Sequence, residues 1–258
     1  MTPRRAELTL LSAAGIVVFL GGWWLAAASG RVSALILPSP PDVLSTLFRL
    51  THDKFANYTI QQHLASSIVR FLFGFVLAAL IGIPLGLAMG WFRWLDNVVT
   101  PLFEAVRFVA PIAWVPFAVL WFGTGIGGPI LIIFAGAFPP CLINAYRGAR
   151  YVDRHLIEAA QTLGASDRRI IFEVLLPAAL PSIVAGLRIS AGLGWQSLIG
   201  AELIVVSAGI GYLMVQGQSN LNTAIVMSGM IAIGVVGVAI DFLLRLLERT
   251  VARGHSSA

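Results

Sequence analysis

Apolar positions run along this chain in long blocks rather than in alternation, and six blocks stand out: residues 8–28, 68–90, 98–122, 128–147, 179–203 and 223–246. A helix that crosses a bilayer needs about 20 mostly apolar residues, because backbone amides and carbonyls in hydrocarbon must be paired within the segment. The pattern therefore predicts six membrane spans. No charge falls within 8–28, 71–92, 108–146 or 223–240, and each block after the first carries one or two. The fold class predicted is all-α, a polytopic membrane protein whose 258 residues form a single transmembrane domain.

Composition agrees. Hydrophobic residues make up 58% of the chain and charged residues 11%, against about 45–50% and 25% in a soluble domain. Seventeen Lys and Arg against twelve acids give a net charge of +5, but the basic residues gather at the ends of apolar runs, which speaks against a nucleic-acid partner. That clustering carries topology instead. With Arg4 and Arg5 in the cytoplasm, the same side collects Arg93, Arg147, Arg150, Arg154, Arg168, Arg169, Arg245, Arg249 and Arg253, while the other side keeps Arg31, Arg49 and Lys54, with Arg70 near its edge. This asymmetry places both termini and the 148–178 loop in the cytoplasm.

The first block is open to a second reading. Arg4 and Arg5, an apolar core and "LAAASG" imitate a cleaved secretory signal. The run is long for one, and Trp23 and Trp24 near its outer end suit an interfacial anchor. Between the first two spans, residues 35–67 are too polar to cross. There Pro41 and Asp42 can open a short amphipathic helix with Val43, Leu44, Leu47, Phe48 and Leu50 on its apolar side, either a surface cover or a part of the working site.

The interval 148–178 is unusual for its charge. Asp153 can cap a helix running to about Leu163, and Gly164 can supply the left-handed residue that ends it. Ser166 then caps a second helix, with Asp167 in its first turn, which runs until Pro177 stops it. Glu158 projects a charge while Ala159 and Ala160 leave little side-chain bulk, so another protein can approach this backbone closely. A docking hairpin and a self-contained loop on the membrane surface are the two readings.

The spacing Glu158-Ala159-Ala160, Gly164, Val174 and Leu176-Pro177 resembles the EAA motif of permease subunits of binding-protein-dependent ABC importers, with Val174 where the family often has Ile. The likeness extends to "ILPSPPDVL" (36–44), "GIPLGLAMG" (82–90), "APIAWVPFAVLWFGTG" (110–125), "LPAALPSIVAGLRISAGLGW" (176–195) and "AELIVVSAGIGYLM" (201–214), which look like the branch handling nitrate, sulfonates and taurine. The resemblance implies a bacterial inner-membrane importer: two permease copies forming the pathway, two ATPase subunits holding the cytoplasmic loops, and a periplasmic or lipid-anchored protein delivering the solute. It makes 148–178 the coupling loop, with Glu158, Ala159, Ala160, Gly164, Ala165 and Pro177 as coupling residues. ATP and its Mg²⁺ belong to the partner ATPase. This chain has no GxxxxGK[ST] pattern, and its sole lysine, Lys54, is assigned to the outer side.

Charges within spans face a bundle interior, a partner or water, and five merit attention. Glu104 and Arg107, near the cytoplasmic end of the third span, can pair with each other or serve transport. Arg188 can attract an anionic solute or reach Asp241, which has Arg245 one turn on. Glu202, at the outer end of the fifth span, is open to gating, loop anchoring or solvation. Trp114, Trp121 and Trp195 either line a pathway or pack between helices. Pro111 and Pro116 should bend the third span, and Gly186, Gly192 and Gly194 permit close helix contact in the fifth. Residues 205–222 are too short and glycine-broken to span and form a loop or half-buried helix at the outer mouth.

His52, His63, His155 and His255 are scattered, and Cys141 is a lone thiol in an apolar run, so no metal set and no disulfide follow. A self-sufficient secondary carrier or channel is the rival function, but a carrier wants acidic residues at mid-membrane and these spans are nearly empty of them. A membrane enzyme would need a clustered catalytic set, and none is visible.

Overall fold

The structure is a computed structural model and describes residues 3–33, 35–123, 125–204 and 206–255. The side chains of Arg4, Arg5, Arg253 and His255 lie outside the described residues, so the sequence assignments that rest on them are not addressed by it. The described residues are helical throughout: α1 (Pro3–Ala28), α2 (Pro40–His52), α3 (Ile60–Trp91), α4 (Arg93–Val106), a 3-10 turn (Pro111–Trp114) leading into α5 (Val115–Phe122), α6 (Gly127–Arg150), α7 (Arg154–Thr162), α8 (Asp167–Ile170), α9 (Leu176–Glu202), α10 (Ile210–Ser219) and α11 (Thr223–His255). Five helical stretches are long and apolar enough to cross a membrane, and α4 with the 3-10 turn and α5 supplies a sixth if that bent pair counts as one span.

α3, α6 and α9 form the heart of the bundle. Lipid is as apolar as leucine, so helices in a bilayer are held by close packing, and small residues permit it. Along α3, Gly74, Gly82, Gly86 and Gly90 recur at multiples of four and, with Ala78, form one stripe turned to α6. Gly74 meets Ile133, Gly82 meets Cys141 and Gly86 meets Ala145; a Cβ added at these glycines would come within 2.6 to 2.9 Å of those side chains. The constant offset means that α3 and α6 run parallel. On the other side, Gly136 meets Ser197, Gly148 meets Ser182 and Gly186 meets Asn144, so α9 runs antiparallel to α6. Gly194 packs on Ala137 as the sequence suggests, but Gly192 faces away from the bundle.

Because α3 and α6 are parallel, the segment between them has to climb back, roughly 33 Å from the level of Gly90 to that of Ile68, which the same offset sets beside Gly127, at 1.5 Å per residue. It does so as a broken element: α4 and the 3-10 turn with α5 meet at 87°. The bend expected from Pro111 is present, and it is a right-angled break rather than a kink. It falls beside Ala135, Gly136 and Pro139 of α6 and Leu193 of α9, the middle of both helices.

α11 is antiparallel to α9: the Trp195 indole donates to the Ile233 carbonyl (3.2 Å), and Arg188 reaches Asp241 (2.6 Å). One end of the bundle therefore gathers the last turn of α6, α7, α8 and the far half of α11, with Arg147, Arg150, Arg154, Arg168, Arg169, Arg245 and Arg249. The opposite end holds α2, the start of α3 and α10 around a cluster of Leu50, Ile60, Ile210, Leu213 and Ile225. α2 is amphipathic as expected, with Ser39 and Asp42 forming its capping box, but Val43, Thr46 and Leu50 face inward while Leu44 and Phe48 face out. α1 stays at the margin, its apolar stretch unburied, touching the rest through α2 and the Trp23 indole, which donates to the Pro38 carbonyl (3.1 Å).

Two boundaries differ from expectation. The second span starts at Ile60, eight residues before the predicted 68, because the polar residues there are taken up by partners described below. Pro177 does not stop the second helix of the loop: Asp167–Glu202 is one helical rod. A proline removes one amide and crowds the carbonyl four residues earlier. Here Ile171–Leu175 adopt a π turn, the Leu176 amide donating to Ile171 five residues back, so the rod absorbs the ring in a widened turn.

Candidate functional sites: a capped hairpin, a mid-membrane cleft and a buried carboxylate

The hairpin between α6 and α9 is built from its caps. The Asp153 carboxylate accepts from the His155 amide (2.9 Å) and starts α7. At its end the Ala165 amide donates to Ala160 (3.0 Å) and the Gly164 amide to Gln161 (2.9 Å), a paired closure that requires a left-handed residue, which Gly164 supplies at φ +79°. Thr162 adds a bond from its hydroxyl to the Glu158 carbonyl (2.8 Å). Ser166 sits at the second N-cap position without a side-chain bond.

The hairpin is thus tied by its own backbone while one face stays bare. Leu156, Ala159 and Leu163 share an outward stripe at helical spacing, and Leu163 is 88% exposed. Ala160 and Ile157 are half-buried, and Ile170 of the second helix is fully buried. Glu158 stands in solvent with His155 at 4.0 Å, and Arg169 pairs with Glu173 (2.8 Å). Of the residues singled out by the motif, Glu158, Ala159 and Gly164 are exposed, and Ala165 is half-buried.

Of the intramembrane charges, Glu104 and Arg107 pair (2.6 Å), with Arg107 also over the Phe108 ring (4.5 Å to its centre). They are not at the end of a span: Arg107 caps α4 at the 87° break, level with the centres of α6 and α9. The break misplaces any residue counted along a straight helix. Arg107 stands between two clefts. One, of about 310 Å³, is apolar, with Leu102, Phe103, Trp114 and Phe138 among its walls. The other, of about 360 Å³, adds Gln196 and Ser197 of α9.

Arg188 binds both Asp241 (2.6 Å) and Glu248 (3.2 Å), and Arg245 closes on Asp241 (2.7 Å). With its Nε on Asp241 and one terminal amino group on Glu248, Arg188 is held in a structural ion pair, which is the arrangement found. Trp195 packs in the core against Phe71 (5.4 Å). Trp114 lines the apolar cleft, and Trp121 is exposed against Phe117.

Glu202 sits at the centre of a buried polar network. It is 1% exposed, and its carboxylate accepts from the Ser67 hydroxyl (2.7 and 2.8 Å), the Arg70 guanidinium (2.9 Å) and the Gly211 amide (3.0 Å). Arg70 also donates to the Ala208 carbonyl (2.7 Å), Ser67 accepts from the Ile210 amide (3.0 Å), and His63 Nδ1 accepts from the Gly209 amide (3.1 Å). With Nδ1 an acceptor, the His63 proton belongs on Nε2, which faces the Phe55 carbonyl (3.0 Å). Gly209, at φ +133°, and Gly211 let the loop lie against the carboxylate: a Cβ on Gly211 would stand 2.6 Å from that of Glu202. Of the three roles open to Glu202, loop anchoring is the one the geometry takes. His63, Ser67 and Arg70, spaced four and three apart, share one face of α3; that polar stripe on an otherwise apolar helix is the signal in the sequence that marks the site. Residues 210–219 form the half-buried helix expected at this mouth.

Among the described residues no group of His, Cys, Asp or Glu is placed to hold a metal ion. Cys141 is buried.

Comparison with known proteins places these sites in context. The chain is 37% identical to the taurine transport system permease protein TauC of Escherichia coli strain K12 over 98% of its length and 92% of that protein. It is 35% identical to a putative aliphatic sulfonates transport permease protein, SsuC, of Bacillus subtilis strain 168, covering 93% and 86%. A solved structure of the MetNI methionine ABC transporter, in an inward-facing conformation, shares the fold with a TM-score of 0.62 at 23% identity, over 83% of this chain and 99% of that one. Residues 78–253 match the family described as the binding-protein-dependent transport system inner membrane component. The chain belongs to that family: it is a multi-pass inner-membrane permease subunit of an ABC importer, a transport component rather than an enzyme or a self-sufficient carrier, whose ATP is hydrolysed on a separate subunit.

Proposed function

We propose that two copies of this chain form the translocation pathway for a small anion of the sulfonate, taurine or nitrate kind, and that residues 153–173 seat in a groove of each of two ATPase subunits. The Arg-rich end of the bundle faces the cytoplasm on this reading, and the end formed by α2 and α10 receives a solute-binding protein. The relatives named for taurine and aliphatic sulfonates support the solute class.

The observation that carries the coupling role is the bare stripe on α7. Leu156 and Leu163 are exposed on a helix locked at both ends by its own caps, and a rigid apolar stripe facing water is what a partner's groove covers. Closure of the ATPases would push a stiff handle joined directly to the rod 167–202, tilting α9 by a largely rigid-body motion.

Co-purification tests this. Candidate ATPases should be retained by the wild-type chain and lost with Ala159→Arg combined with Leu163→Glu, while membrane insertion and thermal stability stay unchanged. Full retention by that variant refutes docking through this face.

A further inference from the structure

Gln196 stands in the C-terminal third of α9, and among the described residues its carboxamide has no hydrogen-bond partner. An amide in hydrocarbon without partners is costly, so this face of α9 does not meet lipid. Gln196 and Leu193 line both the cleft at the 87° break and the groove beside Arg188, so the two adjoin as a furrow along α9.

Across the furrow from Gln196 lies Arg107. Its Nε is committed to Glu104, and its two terminal amino groups make no hydrogen bond among the described residues. A guanidinium carries five N–H donors in a planar fork, so one edge is held in place while the other is offered to the cleft. An unspent cationic edge, an unpartnered amide and a helix break meet here at mid-membrane, where broken helices in transport proteins hold their solutes. At the Arg188 end of the furrow two guanidinium nitrogens, not one, are already committed to carboxylates.

We propose that the cleft between the α4–α5 break, α6 and α9 is a transient anion site of the pathway, in which the free edge of Arg107 and the Gln196 carboxamide contact a small oxyanion such as a sulfonate. The proposal rests on the transport reading above for the identity of the solute, not for the existence of a wet, anion-preferring cleft. Arg107 sets the charge preference. Glu104 positions its guanidinium and moderates its pull.

The test replaces the chain's single native thiol by one at a chosen place. In a Cys141→Ala background, Gln196→Cys is reacted with a sulfonate-bearing and a trimethylammonium-bearing methanethiosulfonate, in the intact transporter held in nanodiscs. Gln218→Cys, exposed outside the furrow, serves as the water reference, and Leu80→Cys, on the outer face of α3, as the lipid reference. The thiol at position 196 should react, unlike the lipid reference, and its anion-to-cation rate ratio should exceed that of the water reference about five-fold. Arg107→Gln should bring the ratio down to that of the water reference, and Glu104→Gln, which keeps the cation and removes its counter-charge, should raise it. Silence at position 196, a disulfide between the introduced thiols of the two copies, or a ratio indifferent to both variants overturns the site. The labelling needs no ATPase docking, so failed co-purification and a failed anion site remain separate results.

Discussion

Arg70 and Glu202, 132 positions apart in sequence, meet at 2.9 Å where neither side chain is more than a tenth exposed. A buried ion pair contributes little when compared with well-packed apolar residues, but breaking it by removing one partner leaves an uncompensated charge and costs about 3–5 kcal/mol. Its bonds to Ala208 and Gly211 tie residues 206–209 and the start of α10 to α3 and α9. Arg70→Met or Glu202→Leu alone is therefore expected to lower the melting temperature of the purified chain strongly, and the double variant to recover much of the loss. Additive losses in a thermal-shift series would show that the two do not act as a pair.

The close approach of α3 to α6 gives a contrast between glycines. A Cβ at Gly86 would lie 2.5 Å from the Leu142 carbonyl oxygen, against backbone that cannot turn aside, whereas one at Gly234 meets nothing within 4 Å. Gly86→Val should cost at least about 1–3 kcal/mol through overpacking, and Gly234→Val should be close to neutral. Equal melting temperatures for the two variants would contradict the packing described.

Gly164 ends α7 at φ +79° with open space around it, so a side chain there is strained by backbone conformation alone. Gly164→Ala should cost about 1–2 kcal/mol locally, seen as faster amide exchange at residues 164 and 165, and should weaken ATPase retention without affecting the spans. Gly164→Asn, which tolerates the left-handed region, should sit between Ala and wild type. Unchanged exchange in Gly164→Ala would remove the capping argument.

Much of this architecture is legible in the chain because the bilayer enforces a length and a composition: the long apolar blocks and the caps at Asp153 and Gly164 follow from local rules. The misplaced features depend on partners or on geometry that no local rule supplies. Counting along a straight helix puts Arg107 near the end of a span, and the 87° break carries it to the middle of the bundle. Pro177 reads as a stop, but a π turn absorbs it. The start of α3 reads as loop because the residues up to Ser67, His63 among them, are mostly polar, and His63 and Ser67 are buried only because Glu202 and the loop after it bring matching groups from far along the sequence. The glycine and alanine stripe at 74, 78, 82, 86 and 90 is open to view and names the face turned to α6.

The most direct measurement is site-directed labelling of Ala159→Cys, in the Cys141→Ala background, with a membrane-impermeant maleimide. Inverted vesicles should label, intact cells should not, and addition of the cognate ATPase to ATPase-stripped inverted vesicles should protect the thiol. Labelling from the outside, or no protection by an ATPase that supports transport, would contradict the account that this hairpin is where ATP-driven motion enters the membrane.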